Sequence, residues 1–168
     1  WYIQKSTSTG GLGEGPTFMR IAAETVIDNT IAAGWNDVAG SDTGSPLQSG
    51  EITFSAGQVW KVDGSVRVDY SATIDAFILG LNVLSTAGAV LVEGLVLGEQ
   101  STSALYEFAS MTGTIYYDSG LLAPGTTYII RARDYHNPGT INLTYQGFGN
   151  GTRMLAVTVL NRIHTVST

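Results

Sequence analysis

From Gln58 to Tyr70 polar and apolar residues alternate without a break. Trp60, Val62, Gly64, Val66, Val68 and Tyr70 fall on one face, and Lys61, Asp63, Ser65, Arg67 and Asp69 on the other. A period of two over this length predicts a β-strand with one face in a core and one in water; a helix would scatter the same residues around its circumference. Similar runs follow at the short, regular spacing of an all-β sandwich. They predict strands near Glu51–Phe54, Ile74–Leu84, Ala89–Leu97, Ala104–Ser110, Thr114–Tyr117, Thr127–Asp134, Thr140–Gln146 and Arg153–Arg162. Turn chemistry separates them, at Ala56-Gly57, Ala87-Gly88, Ser119-Gly120, Pro124-Gly125, Pro138-Gly139 and Gly149-Asn150-Gly151. Thr17–Ile31 also reads as strand, because Thr25, Val26, Ile27, Thr30 and Ile31 outweigh a short helix around Glu24. Thr43–Gly50 reads as a loop.

Two strands break the half-polar rule. Met154–Leu160 (MLAVTVL) is apolar on both faces apart from Thr158, and Phe77–Leu84 (FILGLNVL) is nearly so. A strand apolar on both sides has its second face covered as well. In a single two-layer sandwich the simplest cover is another subunit; the alternative is that the N-terminal segment folds over this face.

Composition sharpens that expectation. Only 13% of the 168 residues are charged, against about 25% in an ordinary soluble domain, and the mean hydropathy is slightly positive. No stretch is long and apolar enough to cross a bilayer as a helix, so membrane insertion is not expected. Solubility must then come from a Ser, Thr, Asn and Gly surface, or from apolar surface hidden against sister subunits. The net charge of −6 and the eight Lys and Arg argue against a nucleic-acid partner. There is no cysteine, hence no disulfide and no thiolate metal site. The Ser, Thr and Gly-rich stretch Lys5–Pro16 reads as a flexible connector, making 1–16 a linker and 17–168 one domain. A start at Trp1, without a leader, reads as a processed or excised fragment whose connector carries what lay upstream of Trp1.

Three segments resemble the tumour-necrosis-factor-like jelly roll shared with the complement globular heads. Phe54–Val62 (FSAGQVWKV) has a Phe before a turn glycine and then an alternating aromatic strand. Leu122–Ile130 (LAPGTTYII) is similar to the element that opens an inner strand of that family. Arg153–Leu160 (RMLAVTVL) is similar to its closing apolar strand near the three-fold axis. Thr126 stands where Asp is usual and Trp60 where Tyr is usual, which marks a distant relative. The resemblance implies an antiparallel jelly-roll sandwich assembled as a homotrimer, with Tyr128, Ile130, Met154, Ala156, Thr158 and Leu160 at the interface. That fold serves secreted ligands and also bacteriophage fibre and tail-needle knobs. The missing cysteines, sparse charge and flexible entry favour the phage setting, a virion surface with a shaft upstream of Trp1.

Catalysis finds little support. His136 and His164 stand far apart, with no acidic residue beside either in a triad-like or metal-ligand pattern. Asp63, Asp69 and Asp75 are spaced in even steps and could line a calcium site, but Lys61 and Arg67 share their face, so an ordinary charged surface is the better reading. Gly10–Gly15 lacks the strand, the helix and the Lys-Ser/Thr of a phosphate loop. No cofactor or metal is expected, and the chain is not expected to be an enzyme. Binding has more to offer. Tyr135, His136 and Asn137 in one segment, Tyr116, Tyr117 and Asp118 in a second, and Phe148 and Asn150 in a third combine aromatic rings with hydrogen-bonding side chains. Such loops suit a host-surface glycan or protein; the competing reading is that these rings plug the ends of the sandwich. The function expected is a non-enzymatic, trimeric fibre or tail-tip knob. The alternatives are a structural trimerisation or capsid-decoration domain, or a secreted ligand of the tumour-necrosis-factor type.

Overall fold

The computed structural model describes residues 2–5, 14–22, 27–40, 45–56, 58–70, 75–101, 108–117, 122–137, 139–146 and 153–161. Its strands run in chain order as β1 (Tyr2–Lys5), β2 (Glu14–Ala22), β3 (Ile27–Ile31), β4 (Gly34–Asp37), β5 (Ile52–Thr53), β6 (Gln58–Tyr70), β7 (Ala76–Ser85), β8 (Val90–Ser101), β9 (Phe108–Tyr117), β10 (Thr127–Asn137), β11 (Ile141–Tyr145) and β12 (Arg153–Asn161). Every pairing between them is antiparallel.

The first sheet contains the neighbours β1-β2-β12-β6, with β9 on the far side of β6; β11 and β3 continue from the distal half of β6. The second sheet runs β4-β10-β7-β8, with β5 beside β10. Taking β2, β4, β6, β7, β8, β9, β10 and β12 as strands one to eight, the sheets read 1-8-3-6 and 2-7-4-5. That order is a jelly roll, two interlocked Greek keys. The chain is an all-β, antiparallel jelly-roll sandwich.

Alternation built it. In β6 the residues Trp60, Val62, Val66, Val68 and Tyr70 are buried, while Lys61, Asp63, Arg67 and Asp69 are partly exposed on the opposite face. Phe77, Leu79, Leu81 and Val83 of β7, Tyr128, Ile130 and Ala132 of β10, and Leu155, Val157 and Val159 of β12 complete the core between the sheets. Lys61 and Asp63 form a surface ion pair at 3.1 Å.

Several expectations need correction. The gap expected between the strands Ala104–Ser110 and Thr114–Tyr117 is absent: Phe108–Tyr117 is one strand, with Gly113 inside it. The glycine is required because a Cβ there would lie 2.1 Å from the Leu97 carbonyl oxygen, where β8 of one sheet passes β9 of the other. Thr17–Ile31 holds two strands in place of one, β2 and β3. The ends of the expected connector, Tyr2–Lys5 and the start of Glu14–Ala22, are strands of the first sheet; residues 6–13 lie outside the described residues. The described parts of the N-terminal segment therefore extend the sheet beside β12 and pair at its edge. Within the expected loop, Gln48 bridges Arg131, and Pro46 bridges Ala39.

The expected interface residues divide. Tyr128 and Ile130 point into the chain's own core, and the Tyr128 hydroxyl accepts a hydrogen bond from the Ala123 N–H at 2.9 Å. A residue used inside one subunit cannot meet another, so both leave the interface set. Ala156 is also buried, a methyl group in mid-sheet between β2 and β6. Met154, Thr158 and Leu160 are half-buried on the outer face of β12. The outer face of β7 has its cover within the chain: Gly80, Asn82 and Leu84 are all buried, with the Trp35 ring over Gly80.

Candidate functional site

Residues 134–137 do not form the loop expected. Strand β10 continues through Asn137, so side chains from Tyr128 to His136 still alternate in and out. Asp134 and His136 face the core and are fully buried; Tyr135 is half-buried on the outer face, and Asn137 is exposed at the strand end. The other candidates do not join them. Tyr116 and Tyr117 end β9 in register with Lys61 and Trp60, at the opposite end of the sandwich. Asp118, Phe148 and Asn150 lie outside the described residues, as do Pro138 and His164.

Where His136 was expected to meet a ligand, it joins a sealed polar cluster between the sheets. Tyr145 of β11 donates its hydroxyl proton to Asp134 Oδ2. The Arg153 guanidinium of β12 lies 5.6 Å from the centre of the Tyr145 ring, and its Nη1 donates to the Gln146 carbonyl at 3.4 Å. His136 Nε2 pairs with the Gly139 carbonyl at 3.0 Å. Burial pushes the Asp134 carboxyl up to about 7, against the Tyr145 hydrogen bond and the Arg133 charge, which pull it down. Burial likewise lowers the His136 imidazole and, aided by Asp134, raises the Tyr145 phenol. Shifted groups in a cleft point to chemistry. Here Asp134, His136, Tyr145 and Arg153 all have essentially no exposed surface, so no substrate can reach them. The cluster holds the two sheets together.

The accessible constellation lies on the outer face of the second sheet, where alternation in β10 aligns Arg131, Arg133 and Tyr135. Register sets Tyr135 opposite Trp35 and Arg133 opposite Asp37 on β4. The Trp35 and Tyr135 rings stand 5.5 Å apart at 57°. Trp35 rests on two glycines: a Cβ at Gly80 would come within 2.7 Å of its Cη2, and one at Gly94 within 3.2 Å of its Cε2. Gly94 itself bends at a φ of 66°, and its N–H donates to Asn82 Oδ1 at 2.9 Å. Asp37 takes Arg133 Nη1 at 3.0 Å on one oxygen and Arg131 Nη1 at 3.3 Å on the other. Arg133 Nη2 also donates to the Trp35 carbonyl at 2.7 Å, and Arg131 Nε to Gln48 Oε1 at 2.9 Å. Sequence reading missed Trp35, Asp37, Arg131 and Arg133. The i, i+2 spacing of Arg131, Arg133 and Tyr135 was a usable signal, but nothing local to GWND showed which strand it would join.

Among the described residues no group of three or more His, Cys, Asp and Glu side chains could hold a metal. The three aspartates considered for calcium are separated: Asp63 pairs with Lys61, Asp69 accepts from Gln146 Nε2 at 2.6 Å, and Asp75 lies beyond β6. Among the same residues no helix is long and apolar enough to cross a membrane.

No protein-family profile matches the chain, and no curated protein does. Among the solved structures that resemble it are two of infectious bursal disease virus. For the Gx strain the identity is 10% over 86% of this chain and 39% of that one, with a TM-score of 0.44. For the Gt strain it is 10% over 89% and 38%, with a TM-score of 0.48. The chain thus spans about two-fifths of the length of either.

Proposed function

We propose that the chain is a non-enzymatic domain of a virus particle, an attachment knob of the bacteriophage fibre or tail-tip kind, which binds the host-cell surface. One observation carries this reading. The shifted ionisable groups are sealed between the sheets, whereas the aromatic and guanidinium groups suited to recognition sit on a strand-built, solvent-facing patch around Trp35 and Tyr135. A rigid sheet is a better platform than a loop, because its side chains are already ordered when the ligand arrives. Binding moves from the sandwich ends to this face.

Assembly as a homotrimer belongs to the same proposal. Its support is the half-buried outer row Met154, Thr158 and Leu160 in a chain with little charge. The second reading is structural, a decoration or trimerisation domain. It is favoured by the exposed apolar residues of β8, Val90, Leu91 and Val96, at 47%, 52% and 49% exposure, which fit packing against other subunits. Cell binding separates the two. Fluorescently labelled domain should adsorb saturably to some strains in a bacterial panel, and Tyr135→Ala should weaken adsorption without lowering the melting temperature. Adsorption to no strain, with a stable trimer in sedimentation, would replace attachment by the structural reading.

A further inference from the structure

We infer that the Trp35–Tyr135 face binds an acidic glycan, a chain of sugars bearing carboxylates. The inference rests on the attachment reading and names its ligand. The apolar half of such a ligand is matched by the rings. Tyr135 tilts against Trp35 at 57° and both are half-buried, so each keeps part of its surface open. The C–H face of a pyranose is a flat apolar surface of a size to cover one ring, and polar groups ring its edge. Trp35 is seated in advance, since β7 and β8 each present a glycine beneath it; a side chain at Gly80 would occupy the space of Cη2 and Cζ3, at 2.7 and 2.8 Å.

The charged half is matched by the guanidiniums. Arg131 and Arg133 share the single carboxylate of Asp37, which leaves one positive charge in excess on a chain whose net charge is −6. Both are fixed by further bonds, to Gln48 and to the Trp35 carbonyl. Arg131 Nη2 has no hydrogen-bond partner among the described residues. A guanidinium held in this way keeps that nitrogen aimed outward to donate a charge-assisted hydrogen bond to a ligand carboxylate. A neutral glycan would use the rings and leave this charge unanswered. Single-stranded nucleic acid also stacks on rings and pairs with arginines, but two arginines flanking an aspartate make a short anion site, not a track for a phosphate backbone.

The test uses the whole chain on an array of bacterial polysaccharides, carboxylated and neutral, with oligothymidylate as a further probe. Binding is expected to carboxylated polysaccharides and to fall more than tenfold when their carboxylates are reduced to alcohols. Arg131→Gln should weaken that binding about tenfold, and Trp35→Phe should retain more of it than Trp35→Ala. Lys61→Ala, on the other sheet, should change nothing. Because Trp35→Ala also removes the cover from Gly80, Arg131→Gln is the deciding variant, accepted only with an unchanged melting temperature. Preference for neutral polysaccharides, binding that survives carboxyl reduction, binding to oligothymidylate alone, or binding to nothing on the array would each overturn the inference. Adsorption to cells that survives carboxyl reduction of their surface would sink the glycan class and leave attachment standing. Binding on the array without adsorption to any cell would do the reverse.

Discussion

At one end of the core Phe54, Trp60 and Tyr128 meet edge to face, with ring centroids 5.5 and 6.3 Å apart. Six residues further along β10 the same inward row carries Asp134 and then His136, against Tyr145 and Arg153 from the other sheet. At about 3.3 Å per residue the two clusters are roughly 20 Å apart. Backbone, pleat and burial are alike at both ends. The aromatic end gains from apolar area removed from water and has no dependence on pH. The polar end gains only while each buried group keeps its partner and its protonation state. One strand thus carries two kinds of stability, and only one can be titrated.

Perturbing each end in turn measures the difference, beginning with the largest effect. Trp60→Ala should cost about 3–5 kcal/mol in a denaturant melt, by an equal amount at pH 5 and pH 8. A loss that changed with pH would mean the two ends are coupled.

The polar end should show the opposite signature. The folded-state value of Asp134 is raised from 3.8 to about 7, so the folded chain holds a proton that the unfolded chain has released. Its contribution is complete below pH 3.8 and fades as pH rises through 7. Between pH 5 and pH 8 the native chain should lose roughly 2–3 kcal/mol relative to Asp134→Asn. The lowered imidazole of His136 acts in the other sense, losing stability as pH falls below 6.5. It is present in both proteins and cancels in the comparison. Parallel pH curves for the two would show that Asp134 is ionised in the fold.

Tyr145→Phe should cost about 1–2 kcal/mol, because Asp134 Oδ2 loses its donor inside the core. That loss should be greater at pH 8, where the carboxylate most needs the hydrogen bond. Lys61→Ala closes the series. Its ion pair with Asp63 lies on the water side of β6, with Lys61 about one-third exposed, and should move stability by no more than about 0.5 kcal/mol. A larger change would mean that another subunit covers this face.

Much of the fold was legible because it follows from local pattern. β6 was read to its exact ends and its inner residues named, since a period of two admits one division into faces. The errors share a cause. The stretch between Ser110 and Thr114 was left out of any strand, yet it continues β9, and Gly113 within it serves a close passage between sheets. Asp134 to Asn137 looked like a loop because its residues are polar, yet Asp134 and His136 face inward and find partners on β11 or beside Gly139. Tyr128 and Ile130 were placed between subunits, yet this chain's own second layer buries them. Each error assigned to the local sequence a decision made by a distant strand.

The candidate site shows the same division. Alternation along β10 alone puts Arg131, Arg133 and Tyr135 on one face, as the sequence determines. Their meeting with Trp35 and Asp37, almost 100 residues earlier, and the seat that Gly80 and Gly94 offer the indole depend on β4 and β7 lying on opposite sides of β10 and on β8 beyond β7. The direction of a side chain from its strand is set by the backbone period, which each residue carries locally. Strand order is set by which pairings bury the most surface with every polar group satisfied, a property of the assembled sandwich that no single segment contains.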